Sequence, residues 1–184
     1  MKWKYDLEPS SKDAVINAFH YFLRLKTLYR QGWLQRNVPE NKTESVADHS
    51  FGTAILALLL CPAELDKQKV LEIALLHETG ESLIGDITPW DNISDEEKSQ
   101  IEKEAVNKIL GQLPDGERLI SLWEEFENAS SAEGRFVRQL DKLEMGLQAE
   151  IFQTMGDNDA KALLDSALQK VTDKDLKKYL SPKQ

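Results

Sequence analysis

Cysteine is almost absent: Cys61 is alone in 184 residues. A single thiol excludes a disulfide framework within the chain, and its place in the run Leu58-Leu59-Leu60-Cys61 fits a small hydrophobe packed in a core. That predicts a reducing compartment. With no apolar run behind the charges of Met1 to Asp6 to act as a leader, the expected location is the cytoplasm. Long hydrophobic runs are missing too. The longest, Ala54 to Cys61, falls far short of the roughly 20 residues that cross a bilayer, so no membrane partner is expected. Positive charge is in the minority, with 23 Lys and Arg against 32 Asp and Glu and a net charge of −9. Such a surface repels a nucleic-acid polymer. A small phosphorylated molecule stays compatible if a metal and a few Arg or Lys residues set the local field. No repeat, low-complexity tract or Pro/Gly-rich linker divides the chain. No stretch alternates at period two with β-branched enrichment, which predicts little or no sheet.

What is present is helical periodicity. Val15, Ala18, Phe19, Phe22 and Leu23 share one face of a helix from about Ser11 to Leu28. A loop broken by Gly32, Pro39 and Asn41 covers Arg30 to Glu44. Ser45 is the N-cap of a second helix, which ends before Pro62 and is apolar on every side after Ala54, a pattern for the centre of the fold. A third helix starts near Asp66, with Val70, Ile73, Ala74 and His77 as an inner stripe that Glu81 continues; the chain then breaks at Gly85-Asp86 and Pro89. Ser94 and Glu97 form a capping box ahead of a fourth helix that stops near Gly111. Leu119, Leu122, Trp123 and Phe126 line a fifth. Ser130 or Ser131 caps a long sixth, reaching about Met155 before Gly156. Two short amphipathic segments, about Ala160 to Gln169 and Thr172 to Leu180, close the chain. The expectation is an all-α helical bundle in a single domain over 1–184, with the helices of 159–180 as accessories.

Three histidines occur. His20, among Phe19, Tyr21 and Phe22, reads as an ordinary helix histidine. His77 extends an apolar stripe and is followed at once by Glu78, then by Glu81. On one helix, 77 and 81 are i and i+4 and 78 and 81 are i and i+3, so the three share a side. Burying them without partners costs on the order of several kcal/mol each. A metal ion and its water would satisfy them; so would a helix end whose acids meet solvent. His49 lies in the first turn of the second helix, after Asp48, an acid the helix dipole favours there. Asp141 borders the apolar face of the sixth helix, with Val137, Leu140, Glu144 and Gln148 at i−4, i−1, i+3 and i+7; Lys142 and Arg138 are alternative partners for it. Two imidazoles and two carboxylates make a mixed nitrogen and oxygen set. It suits one divalent Co, Mn, Zn, Ni or Fe ion better than an oxygen cage for Mg or Ca.

The order His49, His77-Glu78, Asp141 resembles the HD-domain metal phosphohydrolases. The flanking text Tyr29-Arg30-Gln31-Gly32-Trp33, Glu44-Ser45-Val46-Ala47-Asp48-His49, Leu75-Leu76-His77-Glu78-Thr79-Gly80-Glu81 through Gly85-Asp86, and Gln139-Leu140-Asp141-Lys142 is similar to the YfbR-type 5′-deoxynucleotidases, over about residues 19–152. The resemblance implies an all-α HD-domain bundle, a homodimer, and hydrolysis of deoxyribonucleoside 5′-monophosphates with one divalent metal ion. It further implies His49, His77, Glu78 and Asp141 as ligands and Glu81 as the acid or base. Arg30 would lie at the phosphate, with Arg36 or Lys142 as alternatives, Trp33 at the sugar as a gate against a 2′-hydroxyl, and Asp86 at the 3′-hydroxyl. The family takes its name from a His-Asp pair; this chain has His77-Glu78, one methylene longer. Two further readings stand beside that one: an HD phosphohydrolase for another nucleotide, a triphosphate or a cyclic phosphodiester, and a metal- or nucleotide-binding regulator in which Glu78 has abolished turnover.

Overall fold

Side-chain oxygens at the predicted caps Ser45, Ser94 and Ser131 start the three longest helices among the described residues. The computed structural model describes residues 9–156 and 158–180; Met1 to Asp6 lie outside them. Asp13 accepts from the amides of Val15 and Ile16 and opens α1, Ala14–Leu25. Ser45 and Asp48 form a reciprocal capping box at α3, Val46–Leu60. Asp66 opens α4, Lys67–Leu76. The expected Ser94–Glu97 box opens α6, Asp95–Leu110. Then come α7, Gly116–Glu127, and α8, Ala132–Thr154, which Ser131 caps and Gly156 ends at φ +92°. The chain closes with α9, Lys161–Lys170, and α10, Lys174–Lys177. Two one-turn helices complete the set: α2, Gln31–Leu34, inside the segment expected to be loop, and α5, Glu81–Ile84.

The fold is all-α. Among the described residues the only β-type pairing is an isolated antiparallel bridge between Tyr29 and Ser45. It matters for the site, because Arg30 N donates to Glu44 O at 3.1 Å and Val46 N to Leu28 O at 2.8 Å. These bonds tie the Arg30 segment to the start of α3. The centre is α8, packed against α3, α4, α7 and α9. Its Val137, Leu140 and Leu143 join Ile73 and Ala74 of α4 and Leu122, Trp123 and Phe126 of α7 in one buried cluster. Among the described residues no helix is long and apolar enough to cross a membrane.

Two local expectations are corrected. On α1, Val15 and Phe19 are exposed, at 60% and 58%, while Ala18, Tyr21 and Leu25 are buried. The helix is turned because α5 and α6 cover that second side. On the third predicted helix, the stripe does not run through to Glu81. The α4 helix stops at Leu76, and Thr79 caps the break, its Oγ1 donating to Leu76 O at 2.6 Å. Glu81 opens α5 after a tightened turn in which Glu81 N donates to Glu78 O at 3.2 Å.

Candidate metal centre

Three separate pieces of backbone bring the histidines and acids together. His49 lies in the first turn of α3, held there by the Ser45 capping box. His77 is the C-cap of α4, and Glu78 begins the turn after it. Asp141 comes from the middle of α8. His49, His77, Glu81 and Asp141 are buried. The two Nε2 atoms face each other at 3.3 Å. Glu78 Oε1 lies 3.6 Å from His49 Nε2 and 3.5 Å from His77 Nε2, and Asp141 Oδ1 lies 3.3 Å from His49 Nε2.

The hydrogen bonds behind the rings decide what those nitrogens present. His77 Nδ1 lies 2.8 Å from the carbonyl of Ala74, which only accepts, so Nδ1 carries the proton and Nε2 a lone pair. His49 Nδ1 lies 2.5 Å from Glu144 Oε2, which turns its Nε2 toward His77. The two Nε2 atoms thus face each other with carboxylate oxygens of Glu78 and Asp141 beside them. Such a group is repulsive by itself and complementary to a cation. Donors about 2.0–2.1 Å from a common centre in tetrahedral array stand about 3.4 Å apart, and the separations above cluster there. His49, His77 and Glu78, whose donor atoms all lie within 4.8 Å of one another, fit one divalent ion, and Asp141 Oδ1 lies beside His49 as a further oxygen.

Electrostatics agree. Burial and the Arg30 charge pull the His49 pKa down, but the carboxylates of Glu144 and Asp141 outweigh them and lift it to about 10. The surroundings favour positive charge at this spot, carried by a proton or by a metal. Burial opposes ionisation of Glu78, yet His77, Arg30 and His49 bring its pKa to about 2. Asp141 is likewise held well below the usual range, with burial outweighed by Lys142 and the two histidines. Its Oδ2 receives Lys142 Nζ at 2.8 Å, while Arg138 turns away to the carbonyls of Phe126 and Glu127.

The remaining predicted residues line one cavity of about 570 Å³, with Arg30, Trp33, Glu81 and Asp86 on its wall beside His77, Glu78 and Asp141. Arg30 Nη1 donates to Glu78 Oε1 at 2.9 Å, on the same oxygen that faces the imidazoles. Asp86 Oδ2 accepts from the Gln31 amide at 2.7 Å, at the start of α2. Trp33 is 2% exposed; its Nε1 donates to Glu44 Oε1 at 2.8 Å and its ring meets Phe152 edge-on at 4.9 Å. Glu81 Oε2 is buried with no hydrogen-bond partner among the described residues. Burial, Glu78 and Asp86 together raise its pKa well above the ordinary value. Arg36 does not lie on this wall; its guanidinium stacks over exposed Trp90 at 4.7 Å.

Sequence reasoning did not single out Glu144, Glu44, Lys98 or Glu102. Glu144 had a signal, three residues after Asp141 on the same helical face. Glu44, Lys98 and Glu102 had none, since only tertiary packing turns them inward. Lys98 Nζ donates to Ile87 O at 3.0 Å on the cavity rim.

The sequence profile of the HD domain matches residues 22–181. The human protein named 5′-deoxynucleotidase HDDC2 is 43% identical over 134 residues, which are 72% of this chain and 65% of that protein. The zebrafish (Danio rerio) protein of the same name is 40% identical over 145 residues, 78% of this chain and 72% of that one. The match thus spans a little under two thirds of the human relative. Among solved structures, a conserved hypothetical protein from Pyrococcus furiosus superposes with TM-score 0.75 at 31% identity, covering 90% of this chain and 94% of that one. A structure titled predicted metal-dependent phosphohydrolase, from Magnetospirillum magnetotacticum, gives TM-score 0.71 at 27% identity over 91% and 87% of the two chains. With the profile running from the end of α1 to the C-terminal turns, and the buried His and acid cluster at its centre, the chain belongs to the HD domain family.

Proposed function

We propose that this protein hydrolyses deoxyribonucleoside 5′-monophosphates to deoxyribonucleoside and phosphate, with one divalent ion held by His49, His77, Glu78 and Asp141. The observation that carries the reading is the convergence of two imidazole Nε2 atoms and Glu78 Oε1, with Asp141 Oδ1 beside His49, at a cavity of about 570 Å³. That volume suits a small-molecule ligand. Arg30, Lys98, Lys142 and Lys170 on the wall supply charge for a phosphate in a chain of net charge −9. Relatives named 5′-deoxynucleotidase support the substrate class.

A divalent ion in this set supplies Lewis-acid polarisation of a phosphate oxygen and a water of lowered pKa. The protein's own groups do the rest. Arg30 spends one N–H on Glu78 and has four others for phosphate oxygens. Glu81, kept protonated by burial and by Glu78 and Asp86, holds a proton inside the site for the departing 5′-oxygen. Asp86 commits Oδ2 to Gln31 and keeps Oδ1 for a sugar hydroxyl. Trp33, fixed by Glu44 and Phe152, crowds the 2′-position.

Phosphate release from paired deoxyribo- and ribonucleoside 5′-monophosphates, with added Co²⁺, Mn²⁺ or Zn²⁺ and with chelator, tests this. Metal-dependent, deoxy-selective release is expected. Release from triphosphates or cyclic phosphodiesters instead would move the substrate. Metal binding without release from any of them, restored in Glu78→Asp, would make the native chain a regulator.

The same reading includes a homodimer formed through α3. Phe51, Ile55 and Leu58 repeat at helical spacing, and with Leu59 they lie on its surface, Phe51 at 66% and Leu59 at 70% exposure. Light scattering should give twice the chain mass, and Phe51→Glu should halve it; a native monomer overturns the pairing. Half-buried Cys61 supports a reducing compartment such as the cytoplasm.

A further inference from the structure

Behind the ligand His49 lies a second layer that no metal contact explains. Glu144, buried on α8, has Oε2 at 2.5 Å from His49 Nδ1. Glu44 lies alongside, with side-chain oxygens of Glu44 and Glu144 and a ring nitrogen of His49 all within 4.8 Å of one another. Glu44 in turn receives the indole N–H of Trp33. A chain of contacts thus runs from the cavity wall, through two buried carboxylates, to the back of a metal ligand.

Gly52 makes room for it. It follows His49 by three residues on α3 and so shares its face. A Cβ built there would lie 2.7 Å from Glu144 Oε1, 3.0 Å from its Cγ and 3.2 Å from its Cδ. The whole end of the side chain would have to retreat from α3, and Oε2 would leave His49 with it. Gly52 is not needed for backbone conformation: the glycines at positive φ are Gly85 and Gly156. In mid-helix a glycine is a liability relative to alanine. Its use here is the space.

We propose that Glu144 is a positioning residue for the metal centre: it fixes the tautomer and aim of His49, and Gly52 is small so that the Glu144 carboxylate can reach the ring. This rests on the metal reading above. A carboxylate behind a ligating imidazole orients it and raises its basicity, and its loss typically weakens metal affinity by about 10–100-fold.

Both residues predict weaker metal binding in a protein that still folds. Gly52→Ala should weaken Co²⁺ binding about tenfold or more while circular dichroism still shows the native helix content. Glu144→Gln, which keeps an acceptor oxygen without the charge, should weaken Co²⁺ less than Glu144→Ala. The double variant Gly52→Ala/Glu144→Ala should bind Co²⁺ no worse than Glu144→Ala alone, since both act through one carboxylate. Affinity is read by titration of the metal-free protein with Co²⁺, following its visible absorption, which also reports ligand geometry. Unchanged Co²⁺ affinity and spectrum in folded Gly52→Ala or Glu144→Ala overturn the proposal while leaving the metal centre in place. A native protein that takes up no Co²⁺ overturns the metal reading and this proposal with it.

Discussion

At the scale of single residues, the question is what Glu78 does with its extra methylene. Its Oε1 is close to both imidazoles and also accepts from Arg30 at 2.9 Å. One oxygen serves the histidine pair and the Arg30 guanidinium together. Glu78→Gln should therefore lower Co²⁺ affinity at least tenfold, checked by the same visible titration, because a neutral amide removes a charge both neighbours depend on. Glu81 differs in kind, with a buried oxygen that no group among the described residues engages. Glu81→Gln should keep the ion and lose turnover by about 10²–10⁴, the span of general acid–base catalysis; turnover within tenfold of native would remove Glu81 from the chemistry. Trp33 shows how structure changes the choice of experiment. As a 2% exposed residue packed on Phe152, its replacement by alanine would cost about 3–5 kcal/mol and confuse specificity with unfolding. Trp33→Phe keeps the ring packing, and a rise in ribonucleotide relative to deoxyribonucleotide hydrolysis is the expected result.

Among the elements, caps and close approaches decide where the clustered histidines and acids point. Ser45 Oγ accepts from Asp48 N at 3.1 Å and Asp48 Oδ2 from Ser45 N at 2.9 Å, one residue before His49. Ser45→Ala should cost about 1 kcal/mol in urea unfolding. The α7–α8 approach is tighter. A Cβ on Gly134 would stand 2.3 Å from Glu125 O, a backbone atom that cannot swing aside. Gly134→Ala should destabilise by about 3 kcal/mol, near the upper end for overpacking, measured by the same unfolding. The capped helices α3, α4, α6 and α8 were legible because their signals are local: an N-cap oxygen, a box partner three residues on, or a glycine after the last turn. The break between α4 and α5 was not. The apolar stripe runs on toward Glu81, and it takes Thr79 bonding back to Leu76, with Gly80 lying against the backbone of Glu102, to stop the helix.

At the scale of the whole molecule, a net charge of −9 is combined with acids turned inward. Glu102 is held at about 7, chiefly by burial, against an ordinary 4.5. The folded state therefore binds this proton more tightly than the unfolded one between those values. Stability contributed here is present below about 4.5 and is lost as pH rises through about 7. Glu102→Gln removes the loss. Its stability should exceed the native protein's at pH 8 by up to about 3 kcal/mol more than at pH 4, checked by thermal melts across that interval; parallel melting curves for the two proteins would place Glu102 in solvent.

Signals along the chain make it helical, mark where the longer helices begin, and put the histidines and acids in family order. Those properties rest on neighbours within about four residues, where spacing and capping chemistry act. Only the tertiary structure decided which way each helix faces. Phe19 and Val15 look outward although their spacing suits a core. Arg30 meets Glu78 across 48 residues of chain, and Glu144 meets His49 across 95. No local pattern encodes such a pairing. It exists because α8 packs between α3, α4 and α7, and that packing sets what each buried polar group must find as its partner.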